Sequence, residues 1–132
     1  MGSVVGAAIV RDGRVLAARR TRPPETAGRW EFPGGKVEPA EDADAALVRE
    51  VREELGCEVS VDRWLAGSVR IGSRHELTVA LATLLDGDPV PHEHDAVRWL
   101  GPEELDDVDW LEPDRPFLPE LRGLLVGPAR LG

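Results

Sequence analysis

Gly34-Gly35-Lys36-Val37-Glu38-Pro39-Ala40-Glu41, followed by Arg49-Glu50-Val51-Arg52-Glu53-Glu54-Leu55-Gly56-Cys57, is the most informative part of this chain. From Pro39-Ala40-Glu41-Asp42 onward the pattern is helical, with Leu47, Val48, Val51 and Leu55 on one side and Gly56 as the stop. At about 100° per residue, Glu50, Glu53 and Glu54 span roughly 100° of helix surface, and the apolar side is centred about 120° away. Three carboxylates are therefore expected to converge on one exposed edge. Like charges at i, i+3 and i+4 repel, so the arrangement costs stability unless something positive sits among them. A Glu cluster on its own is ordinarily a solvated acidic face. Here a diglycine turn just before the helix lets the backbone approach closely, so that its carbonyls can ligate metal, and Arg49 can anchor one carboxylate on the side away from the ion. A hard divalent ion, Mg²⁺ or Mn²⁺, is the natural occupant.

Upstream, Val4 to Val10 is apolar and β-branched, Asp12-Gly13 is a hairpin signal, and Val15 to Arg20 returns as a second strand. Arg22-Pro23-Pro24-Glu25-Thr26-Ala27-Gly28 reads as an exposed loop ahead of Trp30-Glu31-Phe32, and Pro33-Gly34-Gly35 as a sharp turn. Downstream, Glu58 to Asp62 and the stretch from Gly67 to Gly72 read as short strands. Leu77, Val79, Leu81, Thr83 and Leu85 alternate as a longer one, and Val97 to Leu100 is the last. Pro102-Glu103-Glu104-Leu105 is a helical turn and Phe117 to Val126 a closing helix with Pro116 near its first turn. This order implies an α/β (α+β) protein, a mixed sheet with helices packed on it. Trp30, Trp99 and Trp110 are expected in the core, with Trp110 able to help wall a pocket, and Trp64 in core or edge packing. His92 and His94 read as loop residues, because no third ligand stands near them.

With 132 residues and 14.4 kDa, one domain over residues 1–132 is expected. Sixteen Lys plus Arg against 25 Asp plus Glu give a formal charge of −9, which argues against a surface that tracks a nucleic acid polymer. A small polyanion is compatible with that charge, because a divalent cation held by carboxylates inverts the local field. No apolar run is long enough to span a membrane, and the opening residues lack a basic segment and a cleavage site. Cys57, the single cysteine, cannot form an intrachain disulfide and reads as a small buried residue. A cytoplasmic monomer or weak homodimer is expected.

The central run matches the Nudix box, GX5EX7REUXEEXGU, with Gly35, Glu41, Arg49, Glu50, Val51, Glu53, Glu54 and Gly56 in their places; only Cys57 departs, at the last bulky apolar position. Trp30 to Glu38 further resembles the MutT-type branch, and the similarity in length and element order extends over nearly the whole chain. The resemblance implies a Nudix-type α/β/α sandwich with a central mixed β-sheet. It implies a Mg²⁺-dependent enzyme, with Mn²⁺ able to substitute, that converts a nucleoside triphosphate to the monophosphate plus pyrophosphate. By the same resemblance Glu50, Glu53 and Glu54 bind metal with the Gly35 carbonyl as a further ligand, and Glu50 also deprotonates the attacking water. Glu53 belongs to the same catalytic set, and Glu41, Arg49 and Gly56 hold the box together. Glu93, which precedes Trp99 by the spacing of a glutamate in MutT-like proteins, is implied as a metal ligand or auxiliary base. Arg20, at the end of the second strand, matches an arginine that contacts phosphates.

Marks of other Nudix branches are missing. ADP-ribose hydrolases usually carry a proline some way after the box, yet this chain has none between Pro39 and Pro89, and it has no tyrosine of the kind seen in diadenosine polyphosphate hydrolases. Asp114 aligns with the base-reading position, and Arg22-Pro23-Pro24, Asp109-Trp110 and Asp114 look similar to bacterial cytidine-type members. A carboxylate accepts hydrogen bonds and suits the exocyclic amine of cytosine, but it would also suit the adjacent donors of guanine. A helix N-cap is the structural alternative for Asp114. The expected substrates are CTP, dCTP or a 5-substituted dCTP. An enzyme that sanitises 8-oxo-dGTP, an ADP-ribose hydrolase and a non-catalytic nucleotide sensor are the other readings.

Overall fold

The computed structural model describes residues 2–126. Met1 and residues 127–132 of the expected domain lie outside the described residues. The chain opens with an antiparallel hairpin of β1 (Gly2–Arg11) and β2 (Arg14–Arg20), Val10 lying opposite Val15. Asp12 and Gly13 turn it at φ +53° and +74°, a region that Asp tolerates and Gly favours. The strands named next are β3 (Trp30–Glu31), β4 (Gly34–Lys36), β5 (Glu58–Trp64), β6 (Val69–Ile71), β7 (His75–Asp86) and β8 (His94–Leu100). They form one eight-stranded mixed sheet whose main path is β3-β2-β1-β7-β5. The β1–β7 pairing is parallel, from Gly2 opposite His75 to Val10 opposite Thr83, and β4, β6 and β8 pair antiparallel to β1, β7 and β2.

Alternation along β1 sends side chains to two cores. Val5, Ala7 and Ile9 pack with Leu47, Val51 and Leu55 of α1 (Ala43–Leu55), while Ala8 on the opposite face joins Val79, Trp110, Leu118 and Leu121 of the cluster beneath α2 (Leu118–Val126). Helices on both faces of a mixed sheet make the expected sandwich. Among the described residues no helix is long and apolar enough to cross a membrane.

The helix begins later than its pattern suggests. Ala40 has φ +66°, which no helix accommodates, and Asp42 is the N-cap, its carboxylate accepting from Ala45 N–H at 2.7 Å. Gly56 ends α1 at φ +68°, with its N–H bonded to the Arg52 carbonyl. Pro33-Gly34-Gly35 is not a sharp turn, because Gly34 and Gly35 are strand residues paired with Gly6 and Val5. Glycine is required at 34 for close approach, since a Cβ there would overlap the Val5 carbonyl, and a Cβ on Gly35 would displace the Glu50 carboxylate. The strand expected from Gly67 to Gly72 shrinks to Val69–Ile71 because both glycines turn at positive φ. β8 starts three residues before the expected Val97, so His94 is a buried strand residue rather than a loop residue. The closing helix begins at Leu118, and Pro116 lies in a 3₁₀ segment, Glu112–Phe117, that precedes it.

The tryptophans divide. Trp30 and Trp110 are core, Trp64 packs half-buried with its indole N–H on Asp44, and Trp99 lies at the margin beneath the Arg11 guanidinium. Trp110 is 0% exposed, its indole N–H bonded to the Leu105 carbonyl, so it has no surface with which to wall a pocket. Gly34→Ala should lower stability by about 1–3 kcal/mol through displacement of β4 from β1, measured as the urea midpoint. An unchanged midpoint would refute the close-approach account.

Candidate active site

The end of β2, the loop after it, β3, β4, the last turn of α1 and the start of β8 meet at one cleft. Arg20, Thr21, Arg22, Glu31, Gly34, Glu54, Glu93 and His94 line it. α1 delivers its carboxylates in graded depth, a departure from the expected shared exposed edge. Glu53 is exposed, Glu50 half-buried and Glu54 only 7% exposed. Residue 54 is four positions from Glu50 and three from Val51, so it turns partly beneath the sheet instead of standing clear of it.

Burial pushes the Glu54 carboxyl up to about 9, with the charges of Glu31, Glu50 and Glu93 adding to the rise and the Gly34 N–H opposing it. Glu50 is also raised, first by burial, with Glu53 and Glu93 contributing. Glu93, immediately before β8, is exposed and close enough to act electrostatically on both. Such crowding of carboxyls fits a hard cation, which would restore the ionised forms of Glu54 and Glu50. Among the described residues, however, no three His, Cys, Asp or Glu side chains are arranged to hold a metal ion. The geometry of Arg49 supplies a reason. Its guanidinium grips Glu41 with two bonds of 2.8 and 3.0 Å, donates to the Lys36 carbonyl, and also draws Glu50 and Glu53 to itself at 3.2 Å.

Glu41 therefore serves the site indirectly. The Arg49 guanidinium, with the Glu38 N–H, holds its carboxyl down to about 2. Gly35 contributes space: the Glu50 carboxylate lies against its backbone. Gly56 brings the chain out of α1 beside His92, whose N–H bonds the Glu54 carbonyl.

Two residues were not assigned from the sequence. The Glu31 carboxylate is clamped between Arg20 Nη1 at 2.9 Å and His94 Nε2 at 2.8 Å. The His94 side chain is 5% exposed, and its Nδ1, without a hydrogen-bond partner among the described residues, faces Glu54 Oε1 at 3.9 Å. A chain of contacts thus runs Thr26–Arg20–Glu31–His94–Glu54 from the β2–β3 loop to the helix. The register between β2 and β8 shifts between Arg19 and Arg20 and skips Asp95, which is what turns His94 inward. That shift left no sequence mark. Arg20 reaches the cleft as expected, but already carries Glu31 as a partner.

Asp114 is not a helix N-cap. It lies inside the 3₁₀ segment, 5% exposed, with Oδ2 accepting from Phe32 N–H at 3.1 Å. Burial first, then the Glu31 charge, pushes its carboxyl up to about 8 against the opposing Phe32 N–H and Arg20. It stands behind the cleft, electrostatically linked to two of its lining residues.

The sandwich focuses carboxylates from one helix on a cleft with arginines at its rim. The NUDIX domain profile matches residues 2–121, and the chain belongs to that family as a MutT-like Nudix hydrolase. A Mycobacterium tuberculosis relative, provisionally named 8-oxo-dGTP diphosphatase 2, is 44% identical over 129 residues, covering 96% of this chain and 92% of its own. The CTP pyrophosphohydrolase of Escherichia coli K12 is 42% identical over 120 residues, covering 89% of each. The solution structure of the E. coli ORF135 protein matches with a TM-score of 0.80 and 40% identity, covering 98% of this chain and 93% of that one. A MutT NUDIX hydrolase from Burkholderia pseudomallei matches with a TM-score of 0.75 and 37% identity, covering 89% and 95%.

The Glu41–Arg49 pair carries a sign that can be checked. Its depressed carboxyl stabilises the fold fully above the ordinary value of 4.5, and that contribution is lost as pH falls towards about 2. Glu41→Gln should be less stable than wild type at pH 7, with the gap in urea midpoints closing between pH 4.5 and 2. A gap independent of pH would show that the ion pair contributes nothing.

Proposed function

We propose that this chain hydrolyses a nucleoside triphosphate to the monophosphate and pyrophosphate. The observation that carries the reading is the convergence of Glu50, Glu54 and Glu93, in which the charge of Glu93 adds to the raised proton affinity of both Glu50 and Glu54, beside a cleft that also presents arginines. Glu50, Glu53, Glu54 and Glu93, with the Gly35 carbonyl, would hold Mg²⁺ or Mn²⁺. When bound, the ion neutralises the polyphosphate, lowers the pKa of a water and stabilises charge on the leaving oxygen.

The remaining steps fall to side chains. Glu50, whose affinity for a proton is raised by burial, accepts the proton of the attacking water. Glu93 is an auxiliary base or ligand, Glu53 is the exposed ligand, and Arg20 contacts phosphate from a guanidinium held by Glu31 and Thr26. Arg49 and Glu41 keep the carboxylates in place. Following the MutT-type pattern, water attacks the β-phosphorus. In ¹⁸O-water the label should therefore enter pyrophosphate, and label found in the monophosphate would overturn that assignment. Glu50→Gln should reduce kcat by about 10³-fold with little change in urea midpoint; a near-wild-type rate would reject the general-base role.

The favoured base is cytosine. A carboxyl raised to about 8 favours its protonated form at pH 7, which would present one donor and one acceptor in place of the acceptors of a carboxylate. A base reaching Asp114 past the cleft wall would find in that pair a match for the amine and ring nitrogen on the pairing edge of cytosine, whereas the two donors of guanine ask for the ionised form. The second reading, an 8-oxo-dGTP enzyme, is supported by the name of the M. tuberculosis relative. A panel of CTP, dCTP, 5-methyl-dCTP, 8-oxo-dGTP, dGTP, dATP, dTTP and ADP-ribose with Mg²⁺ separates them. Cytidine turnover should lead at pH 7 and lose its advantage above pH 8 as the Asp114 proton leaves, and Asp114→Asn should keep the preference while removing that pH dependence. A lead for 8-oxo-dGTP at pH 7, or a cytidine preference untouched by Asp114→Ala, would reject the cytosine reading.

A further inference from the structure

We propose that Arg22 is a polyphosphate-binding residue of the cleft, an inference that rests on the triphosphate reading above and names the side chain that meets the anion first. Arg22 lines the same cleft as Glu54 and Glu93 and is exposed. Its guanidinium makes no hydrogen bond or ion pair among the described residues. Arg20 differs on each point, being half-buried and held by Glu31 at 2.9 Å and by Thr26 at 3.2 Å. With Arg20 and Glu31 neutralising each other, the carboxylates of Glu54 and Glu93 face only one uncommitted guanidinium among the lining residues.

The backbone around Arg22 is fixed although its side chain is free. Thr21 Oγ1 donates to the Glu93 carbonyl at 3.4 Å, tying the residue before Arg22 to the loop that carries Glu93. The residue after it, Pro23, accepts at its carbonyl from Thr26 N–H at 3.0 Å and Ala27 N–H at 2.9 Å. Gly28 N–H bonds the Arg20 carbonyl at 2.9 Å and closes the loop. A guanidinium mounted on an anchored backbone at the mouth of an acidic cleft is suited to bidentate capture of a phosphate, and little ordering of main chain opposes the binding. Its charge also offsets the repulsion that Glu93 exerts on an approaching anion.

The test is calorimetric binding of inorganic tripolyphosphate, with Mg²⁺, to the full chain and to Arg22→Ala, Arg22→Lys and Arg14→Ala. Arg14 is an exposed cation outside the cleft, so its variant reports the effect of net charge alone. Arg22→Ala should weaken binding about tenfold or more, Arg22→Lys should recover part of the loss, and Arg14→Ala should bind as wild type. In turnover, Arg22→Ala should raise KM with kcat within about twofold, as expected for an interaction present before and during the reaction. Equal binding by Arg22→Ala and wild type, an equal loss in Arg14→Ala, or no binding of millimolar tripolyphosphate by wild type would each overturn the proposal. A wild type that binds tripolyphosphate through Arg22 but cleaves no nucleoside triphosphate would leave the Arg22 site standing and sink the proposed reaction.

Discussion

Everything at the site depends on how closely α1 can lie against β4. Gly34 and Gly35 carry no side chains, so the strand backbone pairs tightly with β1 on one side and receives the Glu50 carboxylate and the Glu54 side chain on the other. A Cβ at Gly34 would push β4 away from β1, and one at Gly35 would displace the Glu50 carboxylate from its place against the strand. The parallel β1–β7 pair provides the rigid floor against which this contact is set, with Val5, Ala7 and Ile9 seating Leu47, Val51 and Leu55. Packing, in other words, sets the electrostatics: burial of Glu54 and the crowding of Glu31, Glu50 and Glu93 around it follow from one short approach distance.

The cleft has two chemically different sides joined by buried polar contacts. On the helix side stand carboxylates suited to a cation; on the loop side stand Arg20 and Arg22. Glu31 and His94 connect them, and Asp114 acts on Glu31 and Arg20 from behind. Because these groups share a low-dielectric wall, a change of charge at any one of them is felt by the others. If Asp114 reads the base and Arg20 the phosphate as proposed, the two would be coupled through Glu31 without Glu31 touching the ligand.

The parts of this molecule that obey a period were legible in the sequence. Leu47, Val51 and Leu55 announced α1, the alternation from Leu77 to Leu85 announced β7, and the box glutamates announced the cleft. What escaped were features set by register and depth. The skipped pairing at Asp95 turned His94 inward, and the angle at which α1 meets the sheet decided that Glu54 is buried while Glu53 is not. Gly34 and Gly35 were noticed for the right chemical reason, close approach, yet assigned to a turn because glycine pairs usually make one. The burial of Asp114 against Phe32 and beside Glu31, which pushes its carboxyl up, is a tertiary fact that the sequence did not carry.

Arg49 has a consequence for the order in which this protein comes together. By bonding Glu41, Glu50 and Glu53 at once, its guanidinium acts as a built-in counter-ion, so the acidic helix can pack against β4 without waiting for a cation. The packing of α1 thus rests on an internal cation, unlike small zinc domains, which assemble around a metal. At the proposed metal site, cation loading would instead be an exchange, in which an incoming ion competes with Arg49 for Glu50 and Glu53. Part of its attraction to the carboxylates is spent on that displacement, which favours reversible occupancy tuned by the ambient supply of divalent ions over a permanently held centre.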